Sequence, residues 1–330
     1  MNQTANFCRI FFSVSVRCWA LLIFLVSEKG ITLYNTPLTA EQAGKLKLLL
    51  QQEGYKFEER PYTLYFAQKD KLTIAVYQKG PKIVIQGRGT EEFVQYRLEP
   101  EILGEAKLGY EEVHNPEMFQ PHFGVDESGK GDFFGPLVIA GVYADRDLAH
   151  QFKELGITDS KRITSDKRIR DLAAGIRQSR AAQSVVVISP ERYNALYQKI
   201  GNLNRLLAWG HARIIENLCG LRPDCPRALS DKFADASLIE RALMEKGREI
   251  QLDQRTKAES DFAVAAASIL AREKFIDWLD AAGQKLGVTL ARGVSATVKD
   301  TARKIAEKGG KGALATVAKM HFKTAAEVLG

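Results

Sequence analysis

Residues 123–136 of the chain read Phe123-Gly-Val-Asp-Glu-Ser-Gly-Lys-Gly-Asp-Phe-Phe-Gly-Pro136. A short apolar run ends in two adjacent carboxylates, Asp126 and Glu127, and a glycine-rich turn that contains Lys130 follows at once. Carboxylates bind hard divalent ions such as Mg2+, and a glycine turn lets backbone N–H groups approach a sugar-phosphate chain. The spacing differs from that of a Walker loop. The stretch therefore predicts metal-dependent chemistry on a nucleic-acid backbone.

The composition is that of an ordinary globular protein with room for two domains. The chain has 330 residues, of which 45% are hydrophobic and 26% charged. A net charge of +7 suits a polyanionic partner. The cysteines show neither zinc spacing nor a dense disulfide pattern, which favours a reducing, cytoplasmic compartment. They are Cys8, Cys18, Cys219 and Cys225.

Charge is spread unevenly along the chain. Residues 31–89 carry a net charge of +4, residues 90–120 carry −6, and residues 121–330 carry +7. This pattern predicts two nucleic-acid-facing domains, 31–89 and 121–330, joined by an acidic linker over 90–120. Chance variation of surface charge explains the numbers about equally well.

The first thirty residues are unlike the rest. They contain Cys18-Trp-Ala-Leu-Leu-Ile-Phe-Leu-Val26 after Arg9 and Arg17, a pattern similar to a signal peptide. The run is short for a transmembrane helix, and no small-residue cleavage site follows it. A signal or anchor, a buried element and a sequence upstream of the true start are the three interpretations. We favour the third, because an alternative start codon can encode Val26; a membrane-attached nuclease would depend wholly on this segment.

Residues 31–89 predict a small α+β domain. Thr39 and Gln42 form a capping-box pattern at the start of a helix, and strand-like runs follow at 62–67, 72–77 and 82–86. An early strand near residues 31–34 would complete the sheet. Several basic residues can follow a phosphate backbone or belong to an ordinary solvated face. They are Lys69, Lys71, Lys79, Lys82 and Arg88.

Residues 121–330 predict an α/β domain with helices around a central sheet. The expected strands are 123–126, 136–143, 184–188 and 228–231. The expected helices are 165–178, 191–199, 203–218, 262–278, 298–307 and 312–328.

Three apolar segments of this domain end in, or run into, carboxylates: Asp126 with Glu127, Asp231, and the pair Glu259 and Asp261. Clustered carboxylates repel one another and usually exist to hold cations. Two ions roughly 4 Å apart would align a water and neutralise a scissile phosphate. Side chains alternate along a strand, so we expect the strand to break at Ser128 and Gly129 and let Asp126 and Glu127 face one site.

Taken together, these motifs resemble the ribonuclease HIII branch of the type 2 ribonuclease H family over residues 31–330. The resemblance rests on the 124–136 stretch and on four further motifs in the same order. These are Thr158-Asp-Ser-Lys161, Asn202-Leu-Asn204, Leu229-Ser-Asp-Lys-Phe-Ala234, and Thr256-Lys-Ala-Glu259 followed by Ala263-Val-Ala-Ala-Ala-Ser-Ile-Leu-Ala-Arg272.

The resemblance implies an RNase H-like catalytic domain with a central mixed sheet, preceded by a TATA-binding-protein-like domain that grips substrate. It implies Mg2+ or Mn2+, two ions in all, and endonucleolytic cutting of the RNA strand of RNA–DNA hybrids to 5′-phosphate and 3′-hydroxyl ends. The alternatives are an enzyme that cuts at single ribonucleotides in DNA and a non-catalytic hybrid-binding protein. We expect a monomer without a stable membrane partner.

The resemblance also assigns residues to roles. Asp126, Glu127 and Asp231 match the metal-binding carboxylates, and Glu259 matches the fourth acidic residue, with Asp261 as its competitor. The turn of Gly129, Lys130 and Gly131 matches one whose backbone contacts ribose 2′-hydroxyls. Ser160 and Lys161 match a motif near the scissile backbone, although a helix cap and a surface lysine explain them as well. His211 and His321 are expected to be structural or surface residues.

Overall fold

The computed structural model describes residues 31–105, 107, 108, 111–233, 235–243, 247 and 249–330. The interpretations of residues 1–30, and the last residue of the 229–234 motif, lie outside this part of the chain. The described residues fall into two units, and the boundary along the chain lies between His114 and Asn115. In the described ranges, no helix has the length and apolar character needed to cross a membrane.

Among the described residues of the first unit, five strands form an antiparallel sheet in the order β1-β5-β4-β3-β2. The strands are β1 (Leu33–Pro37), β2 (Lys56–Glu58), β3 (Thr63–Lys69), β4 (Leu72–Tyr77) and β5 (Lys82–Gly87). Helix α1 (Ala40–Gln52) begins with the predicted capping box. The expected strands are present, and the short β2 was missed because three residues are too few to establish an alternating pattern.

Residues 90–103 are not a linker, which corrects the predicted 90–120 boundary. They form α2 (Thr90–Phe93) and a π-helical continuation, Val94–Leu103. Phe93, Val94 and Leu98 are buried in one core with Leu46 of α1. Apolar residues spaced along one helical face decide the packing. The acidic residues between them do not all face outward, because Glu99 is buried and accepts hydrogen bonds from the backbone N–H groups of Lys107 and Leu108. The short α3 (Glu111–His114) follows.

In the described part of the second unit, a mixed five-stranded sheet has the order β10-β9-β6-β7-β8. Its strands are β6 (His122–Ser128), β7 (Leu137–Ala144), β8 (Gln183–Ile188), β9 (Arg227–Asp231) and β10 (Gln251–Arg255). The helices are α4 (Arg146–Leu155), α5 (Asp166–Gln178), α6 (Pro190–Ile200), α7 (Leu203–Leu221), α8 (Ser237–Glu240), α9 (Phe262–Leu286), α10 (Ala296–Ala315) and α11 (Lys323–Leu329). This arrangement confirms the predicted α/β class.

Helices cover both faces of this sheet. Helix α9 lies on one face and comes very close at Gly124, where an added Cβ would stand 2.2 Å from the carbonyl carbon of Ala263. Helix α7 covers the opposite face, where Phe123 and Val125 pack against it. Glycine and the alanine-rich stretch of α9 therefore let the backbones of strand and helix meet, as close packing requires.

The predicted helix over residues 312–328 is wrong. Helix α10 ends at Ala315, and Ala318 forms a bridge with Phe134. The chain becomes helical again only in α11. Some of the backbone hydrogen bonds of residues 316–322 are formed with the loop before β7. Helical periodicity in the sequence does not reveal such a contact.

Candidate active site

Two carboxylates meet at one edge of the second sheet. Strands β6 and β9 are parallel, with Val125 opposite Ser230. The next residues along the two strands are Asp126 and Asp231. Because parallel strands carry their carboxyl ends to the same edge of a sheet, these side chains stand side by side. Burial leaves Asp126 7% exposed.

The break expected at Ser128 and Gly129 lies only at Gly129, which is too late to turn Asp126 and Glu127 to one face of the sheet as the sequence analysis expected. β6 pairs with β7 through Ser128, which lies opposite Val138. The break follows at Gly129, whose φ is +86°. The two carboxylates therefore leave opposite faces of the sheet, Asp126 on the α9 face and Glu127 on the α7 face.

Asp126 is a carboxyl group that resists ionisation. Burial raises its pKa well above the ordinary value, and the charges of Glu127 and Asp231 raise it further. The backbone N–H of Glu127 donates to Asp126 Oδ1 at 2.8 Å, and this bond and the charge of Lys161 act in the opposite direction. A nearby cation would stabilise the carboxylate form.

Glu127 is held between the imidazole of His211 and the ammonium of Lys130. His211 Nε2 of α7 lies 3.1 Å from its Oε2, and Lys130 Nζ lies 3.3 Å from its Oε1. Burial raises the pKa of Glu127, but the hydrogen bond and charge of His211 and the charge of Lys130 outweigh burial and lower it to about 2. Phe233 packs against both His211, at 4.9 Å between ring centroids, and Lys130.

His211, which the sequence predicted to be a structural or surface residue, contacts a carboxylate of the candidate site. It is fully buried, as a structural histidine would be, yet its Nε2 faces a proposed metal ligand. Its position four residues after Leu207 on the apolar face of α7 was the available signal. Such a position is occupied by a polar ring only when that ring has a partner. His321, by contrast, stacks on Tyr197 with centroids 4.2 Å apart.

Lys161 interacts electrostatically with four carboxylates around the site. Its pKa is lowered by burial, but Asp126, Asp159, Glu259 and Asp231 together raise it above the ordinary value. The neighbouring Ser160 is buried: its N–H donates to Ser268 Oγ at 3.2 Å, and Arg272 donates to its carbonyl oxygen. Thus Lys161 is an electrostatic partner of the acidic cluster, and Ser160 is fixed to α9.

A pocket of about 400 Å3 opens beside this cluster. Glu259 and Asp159 line it, together with Arg162 and Lys257. Asp261 does not line it: that side chain is fully buried, and its Oδ1 lies 2.9 Å from His122 Nε2. The geometry brings Glu259 to the open side and leaves Asp261 inside the protein.

The turn after β6 contains two glycines with different surroundings. At Gly129 an added Cβ would stand 2.2 Å from the carbonyl oxygen of Pro136 and 2.9 Å from the ring of Phe275. At Gly131 nothing lies within 4 Å of an added Cβ. The fold therefore requires glycine at 129, whereas Gly131 leaves open space in front of the turn.

The donor set suits a hard divalent ion, because Asp126, Glu127 and Asp231 offer carboxylate oxygens at one sheet edge. In the part of the chain that the structure describes, no group of three His, Cys, Asp or Glu side chains is arranged so that it could hold a metal ion. Lys130 and Lys161 face these carboxylates instead. The chemistry of the donors and the raised pKa of Asp126 fit a cation.

Comparison with known proteins identifies the family. The family model described as Ribonuclease HII matches residues 123–325. A ribonuclease HIII of Protochlamydia amoebophila is 42% identical over 297 residues, which cover 90% of this chain and 97% of the relative. The crystal structure of Bst-RNase HIII in complex with Mn2+ matches with a TM-score of 0.62 and 26% identity, covering 90% of this chain and 98% of that one. The structure of Aquifex aeolicus RNase H3 matches with a TM-score of 0.51 and 27% identity over 87% of this chain and 99% of that one.

These matches, together with strand-end carboxylates on a mixed sheet, define a nuclease of the RNase H-like fold. The chain belongs to the type 2 ribonuclease H family and, within it, to the ribonuclease HIII branch. It is accordingly an enzyme, an endoribonuclease of the hydrolase class.

Proposed function

We propose that this ribonuclease H cuts the RNA strand of RNA–DNA hybrids with two divalent ions, Mg2+ or Mn2+. Asp126, Glu127 and Asp231 would hold the ions, and Glu259 is the fourth acidic residue. The observation that carries the proposal is the register of β6 and β9, which brings Asp126 and Asp231 to one edge. The Mn2+ complex of the similar Bst-RNase HIII supports a divalent ion.

The three carboxylates would hold ions whose chemistry would be to activate a water, neutralise the scissile phosphate and stabilise the leaving oxygen, which would give 5′-phosphate and 3′-hydroxyl ends. The residues of this chain supply the surroundings. His211 fixes the direction of the Glu127 carboxylate at 3.1 Å. Lys161, on the edge of the acidic cluster, can pair with a phosphate oxygen once the carboxylates are neutralised.

The glycine turn is the proposed site of RNA recognition. Backbone groups of Gly129, Lys130 and Gly131 would contact ribose 2′-hydroxyls, the groups that distinguish RNA from DNA. The open space at Gly131 supports this role, because a side chain there would stand where a ribose must approach. Ser160, fixed through Ser268, would place Lys161 near the scissile backbone.

The first unit is the proposed grip on substrate. Lys69, Lys79 and Arg88 belong to its basic set, which can follow the phosphates of a hybrid. Binding of this kind would add affinity without adding a catalytic group. It should weaken steeply as salt rises, because counterions are released when lysine and arginine neutralise phosphates.

A cleavage assay on two labelled duplexes tests the proposal, with Mg2+ and with Mn2+ in parallel. One duplex is a continuous RNA–DNA hybrid, and the other is DNA with a single ribonucleotide. We expect cutting of the hybrid alone, and none by Asp126→Asn, which should still fold and bind the hybrid. Efficient cutting at the single ribonucleotide would favour the other substrate class. Binding without cutting of either duplex would favour a hybrid-binding protein.

We further propose a monomer that works in the cytoplasm. All the proposed site residues lie on one chain, and Cys225 forms no disulfide, which suits a reducing compartment. Sedimentation of the purified protein with and without hybrid tests the oligomeric state. A stable dimer in the absence of hybrid would contradict it.

A further inference from the structure

Lys319 is a fully buried lysine outside the acidic cluster. Its ammonium donates to the carbonyl oxygens of Asp132 at 2.9 Å, Gly135 at 2.7 Å and Phe134 at 3.4 Å. In the described ranges no carboxylate forms an ion pair with it. Burying an ammonium that forms no ion pair costs free energy. The three carbonyl partners, together with the charge of Asp132, offset part of that cost and tie this loop to the ammonium.

The loop that Lys319 holds continues directly from the glycine turn. The N–H of Asp132 donates to the carbonyl oxygen of Gly129 at 3.4 Å and closes the turn. The carbonyl of the same Asp132 accepts from Lys319, and its Oδ1 accepts from the N–H of Gly293 at 2.6 Å. Asp132 thus links the ammonium to the turn through a single residue, since its carbonyl binds Lys319 and its N–H binds Gly129.

A second connection runs through Phe275 of α9. Its ring lies beside both ends of the loop, because an added Cβ at Gly129 or Gly135 would come within 2.9 Å or 2.8 Å of it. Lys319 Nζ lies 6.0 Å from the centroid of the same ring. The turn, the ring and the ammonium form one packed group in which moving the ammonium shifts the others.

The C-terminal segment that carries Lys319 has its own support. Asn194 of α6 donates to the carbonyl oxygens of Ala315 and Ala318 and accepts from the N–H of Met320. None of these bonds reaches the glycine turn. The segment is therefore anchored on α6 by Asn194 and on residues 133–135 by backbone bonds, including the bridge between Phe134 and Ala318. The side chain of Lys319 adds the contact with the carbonyl oxygen of Asp132, next to the glycine turn.

We propose that Lys319 is a positioning residue for the turn of Gly129, Lys130 and Gly131, and that it sets the affinity for an RNA–DNA hybrid through that turn. The inference rests on the proposed function, since it takes the turn as the site that binds the RNA strand. It gives the C-terminal segment a role in substrate binding that is separate from metal binding by the carboxylates.

Lys319→Met keeps the length and apolar stem of the side chain and removes the three hydrogen bonds. We expect the hybrid Kd, measured in EDTA and mildly acidic buffer where the amine is protonated, to rise roughly tenfold or more. The single-turnover cleavage rate at saturating hybrid should change less than about threefold. Asn194→Ala, which loosens the same segment only from the α6 side, should stay within about twofold of the wild-type Kd.

Wild-type affinity in a folded Lys319→Met protein would overturn the inference, and so would an equal loss in Asn194→Ala. If Lys319→Met does not fold, hydrogen exchange of the wild-type protein decides. Coupling is reciprocal, so hybrid binding should slow exchange at residues 317–320 as well as at 129–132. Protection of 129–132 alone would overturn the inference. A wild-type protein that does not bind the hybrid would instead refute the proposed function.

Discussion

His122 Nε2 and Asp261 Oδ1 lie 2.9 Å apart, and both side chains are fully buried. The same Oδ1 accepts hydrogen bonds from the N–H groups of Ala263 and Val264, and so it caps the N-terminus of α9. The carboxylate of Asp261 therefore has a structural role, which is to hold the start of α9 in place. Glu259, two residues earlier, lines the open pocket, which supports it as the fourth acidic residue of the site.

Glu259→Gln and Asp261→Ala should separate activity from stability. We expect Glu259→Gln to lower kcat by a factor of about 100 or more and to change the free energy of unfolding by less than about 0.5 kcal/mol. Asp261→Ala should destabilise the protein by about 2–4 kcal/mol, because a cap and a buried hydrogen bond are lost. Urea unfolding measures the stability of each variant, and kcat of the folded protein measures its activity. A large loss of kcat in Asp261→Ala together with normal kcat in Glu259→Gln would make Asp261 the catalytic carboxylate.

His211→Phe should impair metal use, because Glu127 loses the hydrogen bond that orients it. Removing a partner of this kind typically costs about 10–100-fold in metal affinity or activity. Cleavage as a function of Mn2+ concentration, together with calorimetric titration of Mn2+, measures the effect. Trp209→Phe is a matched control, since Trp209 lies on the same helix and is 43% exposed. Equal Mn2+ affinity in both variants would refute the positioning role of His211.

Gly131→Ala and Gly129→Ala should differ although they lie in one turn. Open space at Gly131 lets a methyl group fit, so stability should stay within about 0.5 kcal/mol of the wild type. Hybrid affinity should fall, because the methyl group stands where the RNA strand approaches. At Gly129 a positive φ and the contact with Pro136 should cost about 1–3 kcal/mol of stability. Thermal unfolding and hybrid Kd test this, and unchanged binding by Gly131→Ala would argue against the recognition role.

Stability should depend on pH through Lys319. Burial lowers the pKa of its ammonium to about 7, although Asp132 raises it. The unfolded chain, with an ordinary lysine pKa, binds more protons than the folded chain between about pH 7 and pH 10, so stability rises with pH in that window.

Lys319→Met should lack this contribution. Above pH 7, the free energy of unfolding of the wild type should therefore increase relative to that of Lys319→Met by about 1 kcal/mol per pH unit. Urea unfolding of both proteins at several pH values measures it. A difference that stays constant from pH 7 to pH 10 would show that the amine keeps an ordinary pKa.

Local patterns predicted much of the fold. Thr39 and Gln42 form the capping box that their spacing indicated. The run that ends at Asp231 is a strand as expected. A short apolar segment that ends in a carboxylate can be recognised as a strand without knowledge of residues far away in the sequence. Periodicity was misleading at residues 312–328, where the bridge between Phe134 and Ala318 joins positions far apart in sequence.

The chemistry could be inferred from local features, because the carboxylates, the glycine turn and their order along the chain are those of a ribonuclease H. The groups that surround these features could be identified only from the folded chain. The register of β6 and β9 aligned Asp126 with Asp231, helix α7 brought His211 to Glu127, and burial separated Asp261 from Glu259. The physical reason is that residue types carry reactivity, whereas pKa, orientation and access depend on contacts between distant segments, which no local pattern encodes.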